Sequence, residues 1–178
     1  NDGKRDELMG ESLVLLGEVS MAKGRWSEAD ALLDRGCAVK EVVLGQGHPE
    51  VAYIILLMAQ NLLGPAYTGD AYGCCKRAAE LLAVRFDKNS APMALCLFVT
   101  ADVLRDSGKY EQAQLMYQDA LFLASRFYTE RSVLFCRVQA SIGECYRRQK
   151  KFASALESLT QAVGSISSLL GNDHVYTL

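Results

Sequence analysis

In the stretch GKYEQAQLMYQDAL, Gly108 to Leu121, the apolar residues Ala113, Tyr117 and Ala120 fall at i, i+4 and i+7, with Glu111, Gln114 and Asp119 between them. That spacing predicts a turn followed by an amphipathic helix. The same pattern recurs at a fixed offset of 42 residues, in GRWSEADALLDRGC from Gly24, AYTGDAYGCCKRAA from Ala66 and KKFASALESLTQAV from Lys150. Three positions per copy are always small: Ala29, Ala71, Ala113 and Ala155; Gly36, Ala78, Ala120 and Ala162; Gly17, Ala59, Ala101 and Gly143. Gly and Ala make up about one residue in five of the chain, so chance does not account for all twelve.

Small residues on facing ridges let two helix axes approach closely. Each copy therefore reads as an antiparallel helical hairpin, with large side chains filling the remaining gaps. Leu33, Cys75, Tyr117 and Leu159 occupy one such position, Leu16, Met58, Thr100 and Ile142 a second, and Trp26, Thr68, Tyr110 and Phe152 the hairpin turn. The linkers repeat as well: LGQGHPEV from Leu44 matches LGNDHVYT from Leu170, with FDKNSAPM and YTERSVLF in the same register. Gly45 and Gly171 suit left-handed helix caps, and Pro49 and Pro92 suit the first turn of a helix, where a missing N–H costs little. These signals predict helices at 8–23, 27–44, 49–64, 69–86, 91–106, 110–127, 131–148 and 152–169, in one array with units at 7–48, 49–90, 91–132 and 133–173. Residues 174–178 begin a ninth helix, as expected of a fragment of a longer protein.

Composition narrows the function. Half the residues are hydrophobic and 22% are charged, enough to bury a core. A net charge of −2 gives no reason to expect nucleic acid or an anionic membrane as partner. The longest strongly apolar run, Val51 to Ala59, is far short of a membrane span, and the N-terminus NDGKRDELMG has no signal-peptide core. The chain reads as soluble and cytoplasmic. Six cysteines contain no C-x-x-C pair, so they read as small apolar packers in a reducing compartment, not as metal ligands.

Gly17, Gly24, Trp26, Ala29, Leu33 and Gly36 together resemble the tetratricopeptide repeat, and the 42-residue period with its LGQGHPEV linker is similar to the variant of kinesin light chains and related scaffolds. The resemblance implies an all-α, right-handed solenoid whose concave face, formed by the first helix of each pair, binds an extended peptide or helix of a partner protein. Residues of this chain at the groove register are Glu11, Tyr53, Leu95 and Arg137; Val14, Leu56, Phe98 and Ala140; Glu18, Gln60, Asp102 and Glu144; and Met21, Leu63, Arg105 and Arg147. From these the expected groove comprises an apolar floor of Tyr53, Leu56, Leu63 and Phe98, the arginines Arg105, Arg137 and Arg147, the acidic Glu18, Asp102 and Glu144, and Gln60. Kinesin light chains often place a peptide-binding asparagine two residues before the small position. Here Leu15, Leu57, Val99 and Ser141 stand there, and the carboxylate clamp of chaperone-binding relatives has no counterpart.

No catalytic, metal or cofactor motif is present in the sequence. His48 and His174 share one repeat position and suit linker or capping roles, while RRQKK, Arg147 to Lys151, suits a solvated helix end. A non-catalytic interaction module is therefore expected. The alternative is a structural array that self-associates or packs within a cytoskeletal, ciliary or motor assembly.

Overall fold

The computed structural model describes residues 2–64, 70–128 and 132–170, side chains at positions 2, 169 and 170 excepted. The expectations for Thr68, Gly171, His174 and the ninth helix fall outside the described residues. The fold is all-α, with eight helices and no strand among the described residues: α1 Asp2–Ala22, α2 Trp26–Leu44, α3 Pro49–Asn61, α4 Ala71–Ala83, α5 Ala91–Asp106, α6 Tyr110–Tyr128, α7 Val133–Arg148 and α8 Phe152–Leu170. Boundaries match the sequence pattern to within about three residues, except that α1 begins earlier.

The chain divides into two compact units, Asn1–Asp87 and Lys88–Leu178. In the first, α1 pairs with α2 and α3 with α4, and α2 packs on α3. In the second, α5 pairs with α6 and α7 with α8, and α6 packs on α7. All twelve small positions are buried. A Cβ at Gly17 would lie 2.8 Å from Leu33 Cδ2, and one at Gly143 would lie 2.7 Å from Leu159 Cγ. The leucine of the second helix is thus the knob, and the glycine of the first is its hole. The same register sets Cys75 over Ala59 and Tyr117 over Ala101, and these four side chains are themselves buried to 1% exposure or less.

Two packing expectations change. Leu16 is 54% exposed, so its position does not fill the α1–α2 hairpin. It lies on the side of the helix that, in α3 and α7, meets the preceding second helix. Trp26 likewise packs between repeats, not within its own hairpin: a Cβ at Gly64 would lie 2.7 Å from its indole ring. Phe152, in the same register, is 65% exposed because no later first helix covers it among the described residues.

The turns follow the glycine pattern. Gly24 and Gly108 have φ of 69° and 76°, and Gly45 caps α2 with φ 85°. The fourth copy puts Lys150 at the same turn with φ 62°, a region that crowds a Cβ against the backbone. Lys150→Gly should therefore raise the urea midpoint of the second unit, the gain in stability being about 1 kcal/mol or less because glycine also loosens the unfolded chain. A lowered midpoint would refute this. Pro49 and Pro92 both sit in first turns, and His48 caps α3, its Nδ1 accepting from Glu50 N at 3.3 Å.

Candidate functional site

The first unit carries a cleft of about 380 Å³ between α1 and α3. Its apolar wall is Val14, Leu15, Tyr53 and Ile54, and its polar rim is Glu7, Glu11, Glu18, Glu50 and Lys40. Helical spacing explains the assembly: Glu7, Glu11, Val14 and Glu18 lie at steps of three or four and so share one face of α1. Tyr53 Oη donates to Glu18 Oε1 at 2.7 Å, tying α3 to α1 across the cleft. Lys40 reaches in from α2, its side chain only 8% exposed, and its Nζ pairs with Glu50 Oε2 at 2.8 Å. Four carboxylates against one ammonium leave this cleft acidic.

Of the expected groove residues in this unit, Glu18 and Tyr53 line the cleft, whereas Gln60 and Leu63 are half-buried outside its lining. Leu56 is 2% exposed and belongs to the packed interior. Glu7, Lys40, Glu50 and Ile54 line the cleft without having been selected by the groove register. Lys40 is on a second helix, which that register ignores, and a lysine buried to this degree requires an acidic partner. Leu15, two residues before the small Gly17, makes this part of the wall apolar.

The second unit gathers the remaining expected residues into one network. Asp102 Oδ1 accepts from Arg105 Nη1 at 2.7 Å and from Tyr117 Oη at 2.6 Å. Arg105 Nε reaches Asp106 Oδ1 at 3.1 Å, and Arg148 Nη1 reaches the same oxygen at 2.8 Å. Glu144 accepts from Arg147 Nε at 2.6 Å and Arg148 Nε at 3.0 Å. Arg137 lies over the Phe98 ring, 5.1 Å from its centroid, and Phe98 in turn meets Tyr117 with ring centroids 6.3 Å apart. Phe98 is 2% exposed, so the aromatic floor of this region supports the arginine instead of presenting a ring to solvent. Arg105 is also largely enclosed, at 13% side-chain exposure, whereas Arg137 and Arg147 are exposed.

Burial holds the Asp102 carboxyl above the usual carboxylate range, against the pull of Arg105 and the Tyr117 hydroxyl. It also pushes the Tyr117 phenol well up, with the Asp102 charge adding to the effect. Glu144 moves the opposite way, from 4.5 to about 2, because Arg147 and Arg148 hydrogen-bond its ionised form. A depressed carboxylate contributes stability above its unfolded value and loses it as the pH falls toward its folded one. The urea midpoint of the second unit should therefore decline between pH 4.5 and 2, and Glu144→Gln should flatten that decline. An unchanged slope in the variant would remove Glu144 from this role.

Burial disfavours the thiolate form at Cys37, Cys74, Cys96, Cys136 and Cys145. Five of the six cysteines are buried, and burial raises Cys37 and Cys96 to about 11. Among the described residues no group of three His, Cys, Asp or Glu could hold a metal ion, and no helix is long and apolar enough to cross a membrane.

Residues 10–50, covering α1, α2 and the linker after them, match the family model described as Tetratricopeptide repeat. That segment is a tetratricopeptide repeat, and the fold of the chain is similar to that of kinesin light chain TPR-like repeats. BtubC (BKLC) from P. vanneervenii is similar with a TM-score of 0.66 at 20% identity, over 99% of this chain and 68% of that one. Two crystal structures of kinesin light chain TPR-like repeats from Podosopora anserina give TM-scores of 0.71 and 0.70 at 15% identity, over 97% of this chain and 81% of theirs. No match was found among curated proteins. At these identities the likeness is one of fold.

Proposed function

We propose that this tetratricopeptide array is a non-catalytic interaction module that seats an extended, basic segment of a partner protein in the α1–α3 cleft. Repeats of this family generally act as protein-interaction scaffolds and are generally non-catalytic. The observation that carries the reading is the cleft itself: an apolar wall of Val14, Leu15, Tyr53 and Ile54 under a rim of four glutamates. Apolar contact supplies affinity, and the carboxylates select lysine or arginine side chains and orient the segment. The same charge disfavours nucleic acid. Exposed Arg137 and Arg147 in the second unit offer a further surface, suited to an acidic stretch of the same partner.

Peptide arrays of lysine- and arginine-containing sequences, followed by fluorescence anisotropy on the tightest, test this. Glu11→Gln with Glu18→Gln should weaken binding about tenfold, as expected for losing charge-assisted hydrogen bonds, and salt should weaken it too. If charge-reversed peptides bind as well, the reading fails. The second reading, a structural array that self-associates or packs within a cytoskeletal, ciliary or motor assembly, draws support from the likeness of the fold to kinesin light chain TPR-like repeats.

A further inference from the structure

The inner face of α6 is Ala113, Tyr117, Ala120 and Ala124, all fully buried. Opposite them, at steps of three and four, Glu111, Leu115, Gln118, Phe122 and Arg126 form one exposed stripe. Leu115 is 62% exposed and Phe122 60%. The other repeats show what this face ordinarily carries. At the register of Leu115 the other second helices have Ala31, Gly73 and Glu157, and at the register of Phe122 they have Ala38, Glu80 and Gly164. The third copy alone places large apolar side chains at both positions. Stacking does not use them: α6 packs on α5 and on α7, and both contacts leave Leu115 and Phe122 exposed. Nor is this an end of the array, because α7 already continues the stack from another side of α6.

We infer that the outer face of α6 docks on the same face of a second copy, antiparallel, about a two-fold axis passing between Gln118 and Asp119. Turned end for end about that point, the stripe maps onto itself: Glu111 takes the place of Arg126, and Leu115 that of Phe122. Leu115 of each copy then meets Phe122 of the other, and Glu111 of each meets Arg126 of the other. Arg126 is held over the Phe127 ring, 5.5 Å from its centroid, and neither it nor Glu111 is in an ion pair among the described residues. A parallel pair would set Glu111 against Glu111 and Arg126 against Arg126, so charge selects the antiparallel orientation.

The end-for-end match is what selects a second copy over a further segment of the chain. A two-fold contact requires a face that complements itself, whereas a different segment imposes no such symmetry on the surface it covers. The stripe runs about 22 Å along the helix, so the pair buries less than about 1,200 Å², the size of weak and transient contacts. An affinity of about 0.1–1 mM is expected of it. The contact uses neither α1 nor the α1–α3 cleft, so its failure leaves the cleft reading intact.

Sedimentation equilibrium on the 178-residue chain at low salt, up to about 1 mM, tests the inference. The mass should rise with concentration toward a dimer and stop there, because the two-fold contact is closed. Phe122→Gln should weaken association at least about tenfold, since each substitution removes two apolar contacts from the pair. Glu111→Arg opposes like charges at both ends of the pair, as does Arg126→Glu, and each alone should also weaken it about tenfold. Mixed together, these two variants should recover the affinity of the parent as a one-to-one pair, because every arginine again faces a glutamate. All of these side chains are exposed, so circular dichroism should match the parent; if a charge variant loses helix, Leu115→Gln joins Phe122→Gln in carrying the test. A mass independent of concentration would overturn the inference, and so would growth beyond a dimer. A mixture of the charge variants no tighter than either alone would also overturn it, as would Phe122→Gln or Leu115→Gln associating like the parent.

Discussion

Asp102→Ala is expected to lower the stability of the second unit by about 3–5 kcal/mol, the cost of removing one partner from a buried charge pair. Asp102 is 9% exposed and its Oδ1 is the common acceptor for Arg105 and Tyr117. Without it the Tyr117 hydroxyl, on a fully enclosed side chain, loses its acceptor, and the Arg105 guanidinium keeps Asp106 and the Tyr117 oxygen but loses its nearest carboxylate. Asp102→Asn retains an acceptor oxygen and should cost less. Adding Tyr117→Phe to Asp102→Ala should cost less than the sum of the two changes, because the first has already stranded the hydroxyl. Urea unfolding followed by circular dichroism measures all three; an Asp102→Ala midpoint equal to the parent's would show that the network contributes nothing to stability. The same arithmetic limits what binding experiments can say. A partner lost on changing Asp102, Arg105 or Phe98 is a loss of fold before it is a loss of contact, so Tyr53, Glu11, Glu18, Arg137 and Arg147 are the positions on which binding is to be tested.

The second large effect concerns the holes under the leucine knobs. Gly17→Val should destabilise the first unit by about 1–3 kcal/mol, toward the upper end, as overpacking does in a core that cannot expand. Its Cβ alone would stand 2.8 Å from Leu33 Cδ2 and 2.9 Å from Leu33 Cγ, and Leu33 is fully buried. Gly143→Val meets Leu159 at 2.7 Å, but Leu159 is only half-buried and can swing aside, so its cost should be the smaller of the two. Adding Leu33→Ala to Gly17→Val should recover part of the loss by moving the bulk from one side of the contact to the other. Thermal melts of the four variants decide this. An equal cost at both glycines would mean that backbone freedom, and not the knob, sets their requirement.

How far the candidate site was legible depends on the kind of information each residue carries. Glu18 and Tyr53 follow from the groove register because their positions, one after and six before the small residue of the first helix, fix which face a side chain shares. Lys40 does not follow, since it comes from a second helix and enters the cleft only through the angle at which α2 crosses α3. Leu56 and Phe98 share the register of exposed residues, yet are enclosed: periodicity gives the face, while the neighbours on that face decide the depth. Trp26 shows the same limit. Its turn position is plain in the repeat, but the surface its ring meets, at Gly64, belongs to the next pair.

The amino-acid sequence determined the all-α repeat, the period of 42, the helix ends at Gly45 and Pro49, and the small positions that let helices close. Each depends on local backbone preference or on volume, and both are properties of residue type and spacing. Tertiary structure decided which side chains were spent on packing and which remained outside. The acidic cleft between α1 and α3 and the enclosure of Asp102 by Tyr117 both arise from contacts between separate helices. No local pattern encodes the distance between them.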